Sequence, residues 1–231
     1  MREPLLMRFV KRVLKVFKKK PTIINLNDTL EDNALYIANH SAASGPLTLS
    51  LYFPKKFIPW GTHHMCGNYK ERWNYLYHVF YQQKLHYSKF RSFLIATPFA
   101  LVSKMLYNWM RLIPTYQDAR LIQTMKISID HLEQGSSVLV FPENSSHGYD
   151  EILQYYHSGF ISLARLFYKK TKRNIPLYVV YYSKKKNAMI IDKPIYIQDL
   201  LFNNDSKEEI AEKLKNRTNN LYEQLKEALS L

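Results

Sequence analysis

Twice in this chain a short, almost wholly apolar run passes straight into a loop of small polar residues, and no other sequence feature constrains the fold as strongly. Ala34-Leu35-Tyr36-Ile37-Ala38 leads into Asn39-His40-Ser41-Ala42-Ala43-Ser44-Gly45-Pro46, and Ser137-Val138-Leu139-Val140-Phe141 leads into Pro142-Glu143-Asn144-Ser145-Ser146-His147-Gly148. Runs this apolar and this short suit strands buried on both faces. Residues 175–182 form a third such run, while 122–132 and 155–170 carry helical periodicity. Pro46 at a first helical position would open a helix over 47–52. Residues 185–191 and 194–197 add an edge hairpin or bend. Ser206-Lys207-Glu208-Glu209 is a capping box, and Ile210, Leu214, Leu221, Leu225 and Leu229 give the last helix its apolar stripe. Strands alternating with helices predict an α/β sheet covered on both faces, with the functional loops at the carboxyl ends of the strands.

The first twenty residues are of another kind. Leu5, Leu6, Phe9, Val10, Val13, Leu14 and Phe17 recur at helical steps along one face, and Arg8, Lys11, Arg12, Lys15, Lys18 and Lys19 cover the rest, with no acidic residue from Leu5 to Lys19. Such a helix suits an anionic bilayer interface, although it could also be a surface helix packed on the domain. Pro21 ends it. Basic residues interrupt the early apolar positions, so the start does not read as a signal peptide. One cysteine makes no intrachain disulfide and fits a reducing compartment.

Two stretches carry no clear strand or helix pattern. Residues 60–90 are rich in Tyr, His and Trp, and 93–110 are largely apolar but contain Pro98 and Lys104. The second is borderline in length for a membrane span, and its proline and flanking basic residues favour a buried or interfacial helical hairpin. The expected organisation is a membrane-associating helix over 1–20, an α/β domain over 21–199 with an aromatic and apolar insertion at 60–110, and a C-terminal helical segment over 200–231.

The chemistry points to the two polar loops. A histidine on a loop at a strand end is accessible, titrates near neutral pH and can take a proton from a hydroxyl. The second loop offers hydroxyls and backbone N–H groups that can hold an anion. Together the loops resemble the glycerolipid acyltransferase family, typified by the lysophosphatidic acid acyltransferases. That family carries Asn-His-x-x-x-x-Asp after one strand and Phe-Pro-Glu-Gly-Thr/Ser-Arg after another. The matching stretches here are Asn39 to Gly45 and Phe141 to Ser146, and residues 60–110 account for a longer separation between them. Ile113-Pro114-Thr115-Tyr116-Gln117-Asp118-Ala119-Arg120 sits where the family has its arginine-bearing substrate block, and Ile175-Pro176-Leu177 looks like its closing strand. The resemblance covers residues 30–197. It implies an α/β fold with a mixed sheet flanked by helices, and transfer of a fatty acyl group from a thioester to a lipid hydroxyl.

On that resemblance His40 is the general base, and Asn39, Ser41, Ser44, Gly45, Arg120, Pro142, Glu143, Asn144, Ser145, Ser146 and His147 bind substrate. No metal or other cofactor is implied, since acyl-CoA or acyl-carrier protein is an already activated donor substrate. Two family side chains are replaced: Gly45 stands for the motif aspartate and Ser146 for the motif arginine. Glu143, Asp150 and Glu151 are candidates to take over the aspartate's part. A lipid-binding relative without turnover is the alternative reading.

The formal charge of +14, from 33 Lys+Arg against 19 Asp+Glu, admits three explanations: an anionic membrane, nucleic acid, or a lysine-rich genome. No helix-turn-helix, zinc or RNA-recognition signature accompanies it, so nucleic acid is not the expected partner. His63-His64-x-Cys66 has metal-ligand residue types but no second cluster at zinc spacing. The expected partners are an anionic membrane surface, a lipid acceptor and an acidic acyl-carrier protein, with the protein peripheral or monotopic on the cytoplasmic face of a membrane.

Overall fold

The apolar runs sort their side chains to two sides of one sheet. In the computed structural model, which describes residues 5–145, 148–201 and 205–230, β2 (Leu35–Ala38), β5 (Val138–Val140) and β6 (Pro176–Ser183) are wholly buried. Leu35, Ile37, Val138, Val140, Leu177, Val179 and Tyr181 join one core, and Tyr36, Ala38, Leu139, Tyr178, Val180 and Tyr182 another. This is the two-residue alternation of a strand, with an apolar layer on each face.

Among the described residues eight strands make one mixed sheet. Its order is β1 (Thr22–Asn25), β7 (Ala188–Ile191), β6, β2, β5, β3 (Ile58–Thr62), β4 (Ile113–Thr115), with β8 (Ile195–Tyr196) paired to the start of β6. From β6 through β2, β5 and β3 to β4 every neighbouring pair is parallel, and β7 returns antiparallel to β6. The carboxyl ends of β2, β5, β3, β4 and β6 therefore open onto one edge.

Helices cover both faces. α2 (Ser44–Tyr52) packs with the Tyr36 and Tyr178 side, while α5 (Leu121–Glu133), α6 (Gly159–Thr171) and α8 (Lys207–Ala228) cover the other. A short helix α7 (Ile197–Leu201) precedes α8. The capping box at Ser206 and Glu209 forms reciprocally, as its spacing predicts. α8 is tied to the sheet edge through Tyr156 Oη, which donates to Thr218 Oγ1 at 2.9 Å, and through the Arg217–Asp192 ion pair.

Three expectations shift. α2 begins at Ser44, so Pro46 falls inside its first turn, where a missing N–H costs nothing. The helix expected from 155 begins only at Gly159, because the backbone at 155–157 is already paired: Asn144 N–H donates to the Tyr155 carbonyl and His157 N–H to the Pro142 carbonyl. Residues 60–110 are ordered. A turn at His63–Cys66 leads into α3 (Tyr69–Asn74), which widens into a π-helical segment (Tyr75–Lys84). α4 (Lys89–Trp109) then packs back on it and runs straight through Pro98. No helix among the described residues is long and apolar enough to cross a membrane. α1 (Leu5–Phe17) is amphipathic and lies beside α2 and the end of α4.

Candidate active site

The loop after β2 is held by its own backbone. Ser41 and Ala42 both take left-handed conformations (φ 44° and 55°), which bends the chain back on the histidine it has just passed. The Ala42 carbonyl thereby comes 2.6 Å from His40 Nδ1. A carbonyl only accepts, so Nδ1 carries the proton and Nε2 keeps its lone pair. Gly45 closes the bend: a Cβ there would lie 2.2 Å from the His40 carbonyl oxygen. Position 45 can therefore hold neither an aspartate nor any other side chain without moving the backbone.

Asn39 fixes the root of the loop. Its side-chain Nδ2 donates to the Tyr182 carbonyl at 2.9 Å and its Oδ1 accepts from the Tyr182 N–H at 2.7 Å. The amide thus continues the β2–β6 ladder beyond the last backbone pair. The hydroxyl of the same tyrosine lies 3.2 Å from Ser44 Oγ, and Lys18 Nζ donates to both, at 2.6 Å to Ser44 and 3.1 Å to Tyr182. Burial raises the Tyr182 hydroxyl, but its hydrogen bonds, led by that to Ser44, outweigh burial and bring it below the ordinary tyrosine value.

The loop after β5 meets the first one. Glu143 Oε1 accepts from the His40 backbone N–H at 2.9 Å, so this carboxylate grips the histidine's main chain. Burial pushes the Glu143 carboxyl up to about 7, against the lowering effects of that hydrogen bond and of Lys84. Lys84, from the end of the π-helical segment, donates from Nζ to Ser145 Oγ at 2.7 Å, and burial lowers its own ammonium. The His40 ring is stacked on Tyr149 (centroids 4.9 Å apart) and meets Phe141 edge-on at the same separation. Burial, followed in effect by the Lys84 charge, brings the imidazole down to about 4 although the Ala42 carbonyl opposes them. His40 is therefore a neutral imidazole at neutral pH.

The sequence-predicted residues divide by where they stand. Asn39, His40, Ser41, Ser44 and Gly45 form one loop, and Glu143 and Ser145 join it across the strand ends. Pro142 is buried and Asn144 exposed, both in the paired return toward 155–157. Ser146 and His147 lie outside the described residues. Arg120 stands elsewhere on the same edge, beyond β4, three strand spacings or about 14 Å from the β2 position. It is bound to Asp118 at 2.6 Å, with its guanidinium over the Tyr116 ring. His63 stacks between His64 and Tyr116 beside it. Among the described residues no three metal-ligating side chains come together.

Lys84, Tyr149, Tyr182 and Lys18 were not predicted. Lys84 stands in a segment without legible periodicity. Tyr149, only two residues beyond His147, carries no signal that distinguishes it from the seventeen other tyrosines. A cleft of about 400 Å³ lies beside the His40 loop, lined by Ser41, Ala42, Tyr149, Tyr182, Lys184 and Lys185 among others.

This architecture, a mixed sheet flanked by helices, matches the PlsC-type glycerolipid acyltransferase fold. The solved structure of the 1-acyl-sn-glycerophosphate (LPA) acyltransferase PlsC from Thermotoga maritima is similar to this chain with a TM-score of 0.56, over 95% of this chain and 80% of that one, at 13% sequence identity. The likeness at that identity is one of fold. No protein-family model matches the chain, and no curated protein matches it significantly.

Proposed function

We propose that the protein transfers a fatty acyl group from an acyl thioester to a lipid hydroxyl, with His40 Nε2 as general base. One observation carries this reading: the Nδ1–H···O=C bond to Ala42 fixes the tautomer in which Nε2 can accept a proton. The motif aspartate has two tasks in such a site, to hold the tautomer and to stabilise the imidazolium that forms. The Ala42 carbonyl performs the first with full geometry and the second only through its dipole. The acceptor O–H gives its proton to Nε2 as its oxygen bonds to the thioester carbonyl carbon. The tetrahedral intermediate then expels the thiolate, which takes the proton back from Nε2. Ester and thiol are the products, and the chemistry requires no metal or other cofactor.

Glu143 acts as a positioning residue through the His40 main chain, and Lys84 brings positive charge to Ser145. Ser145 and the Ser41–Ala42 rim of the cleft face the acceptor. Lys184 and Lys185 suit the phosphates of acyl-CoA or the acidic surface and phosphopantetheine of an acyl-carrier protein. α1 rests on an anionic membrane with its basic residues toward the headgroups, which makes the protein peripheral or monotopic on the cytoplasmic face.

The test is transfer of labelled acyl groups to a panel of lysolipids and glycerol derivatives. His40→Ala is expected to lower the rate by about 10²- to 10⁴-fold, the usual contribution of a general base. Equal rates for the two proteins would remove His40 from the mechanism. A second reading, a lipid-binding protein without turnover, is favoured by the weak basicity of His40. It predicts vesicle binding with no transfer to any acceptor, by wild type or variant.

A further inference from the structure

α4 is packed inside out. The side it turns to the π-helical segment carries Ser92, Ala96, Ala100 and Ser103, all fully buried, whereas its outward side carries larger apolar residues: Phe90 is 74% exposed, Leu101 66% and Leu94 54%, with Phe93, Val102 and Met105 beside them. A water-facing helix ordinarily shows the opposite arrangement. Single exposed apolar residues are unremarkable, but a helix face of them is the mark of an interaction surface.

Three observations say what this face meets. Neither α4 nor α1 contains an acidic residue, and Lys89, Arg91 and Lys104 punctuate the apolar face of α4 while Arg8, Arg12 and Lys15 flank that of α1. The apolar side of α1 is exposed in the same way, with Phe9 64% and Phe17 83% accessible. The two helices also adjoin, since Lys11 Nζ lies 4.4 Å over the Trp109 ring at the end of α4. Large apolar side chains among cations, with indole at the margin, fit the boundary between acyl chains and anionic headgroups.

We infer that the outward face of α4 is a second lipid-docking surface, continuous with that of α1, and that the protein sits on an anionic bilayer by both helices together. The inference rests on the lipid-facing reading of α1 and is independent of acyl transfer. α4 lies along the interface, consistent with the absence among the described residues of a helix able to cross. Its apolar residues enter the headgroup boundary while Lys89, Arg91 and Lys104 remain with the phosphates. Two helices on the surface, unlike one, fix the orientation of the sheet edge relative to the membrane.

The experiment places a solvatochromic dye on a single cysteine at Leu101→Cys, in a Cys66→Ser background, with Ile122→Cys on the exposed side of α5 as the reference position. Vesicles contain equal parts of phosphatidylglycerol and phosphatidylcholine. Emission at 101 should shift to the blue and become shielded from an aqueous quencher when vesicles are added, with no change at 122. Phe93→Ser combined with Leu101→Ser should weaken co-sedimentation by about tenfold or more, from the apolar area withdrawn from lipid. These side chains are exposed, so circular dichroism should stay unchanged. Three results would overturn the proposal: no binding to vesicles, an aqueous signal at 101 while the protein co-sediments through α1 alone, or a blue shift that grows with protein concentration without lipid, which would assign the face to a second copy. His40→Ala should bind vesicles as the wild type does, so loss of transfer and loss of docking are read separately.

Discussion

Gly45 is where the chain differs from the motif it resembles, and the difference is built into the backbone. A side chain there meets the His40 carbonyl at 2.2 Å, so the aspartate cannot be restored by substitution alone. Gly45→Ala should cost roughly 1–3 kcal/mol, the usual range for overpacking, measured as a fall in denaturant midpoint at constant slope. Gly45→Asp should do no better, and acyl transfer should drop by about a hundredfold or more as the ring leaves its place by an ångström. A gain in rate with Gly45→Asp would show that the loop had opened to admit the side chain. Glu143 and His40 pull the pH dependence of stability in opposite directions. His40, brought down to about 4 from 6.5, adds stability as pH rises across that interval, because only the unfolded chain is protonated there. Glu143, raised from 4.5 to about 7, removes stability as pH rises between those values, because the folded chain holds the proton longer. Glu143→Gln keeps an oxygen to accept from the His40 N–H but cannot ionise. Its melting temperature relative to wild type should therefore climb between pH 4.5 and 7, and a flat difference would mean that Glu143 titrates normally.

At the scale of elements, the site depends on a junction between β2 and β6. Asn39 satisfies both backbone groups of Tyr182 from a buried side chain, and Asn39→Leu would leave two polar groups without partners at about 1–3 kcal/mol each. Thermal unfolding should show a loss of about 2–5 kcal/mol, and amides at 180–183 should exchange faster than those at 188–191. Sequence patterns reach this junction only in part. β2, β5 and β6 are legible because strands buried on both faces must be almost wholly apolar, and the loops after them are legible because polar residues resume abruptly. β1, β3 and β4 are short and only partly buried, so their residues do not differ enough from loop to be read. The segment over 60–110 is opaque for a different reason: π-helical winding at Tyr75–Lys84 breaks the 3.6-residue period, and α4 reverses the usual placement of large and small residues. Least legible is the group that orients His40, because it is a main-chain carbonyl and any residue at position 42 has one. Lys84 reaches Ser145 across a sequence separation of 61 residues, a relation set by the fold alone.

For the whole molecule, part of the +14 charge is concentrated on two helices rather than beside His40. The His40 ring lies between Tyr149 and Phe141, with Lys84 as the cation beside it, whereas α1 and the ends of α4 are basic without an acidic residue between them. Binding to phosphatidylglycerol-containing vesicles should thus weaken as salt is raised from about 0.05 M to 0.5 M, in step with the shrinking Debye length, while a residue due to apolar insertion persists. Insensitivity to salt would mean that the lysines do not touch the headgroups. Between α1 and the His40 loop stands Lys18, one residue past the end of α1, holding Ser44 and Tyr182 with its ammonium while its carbonyl accepts from the Tyr52 hydroxyl at 2.5 Å. Fastened in this way, α1 is a strut and not a leash. Any load carried by α1 is therefore delivered to Ser44 and Tyr182, and through them to the loop that holds His40.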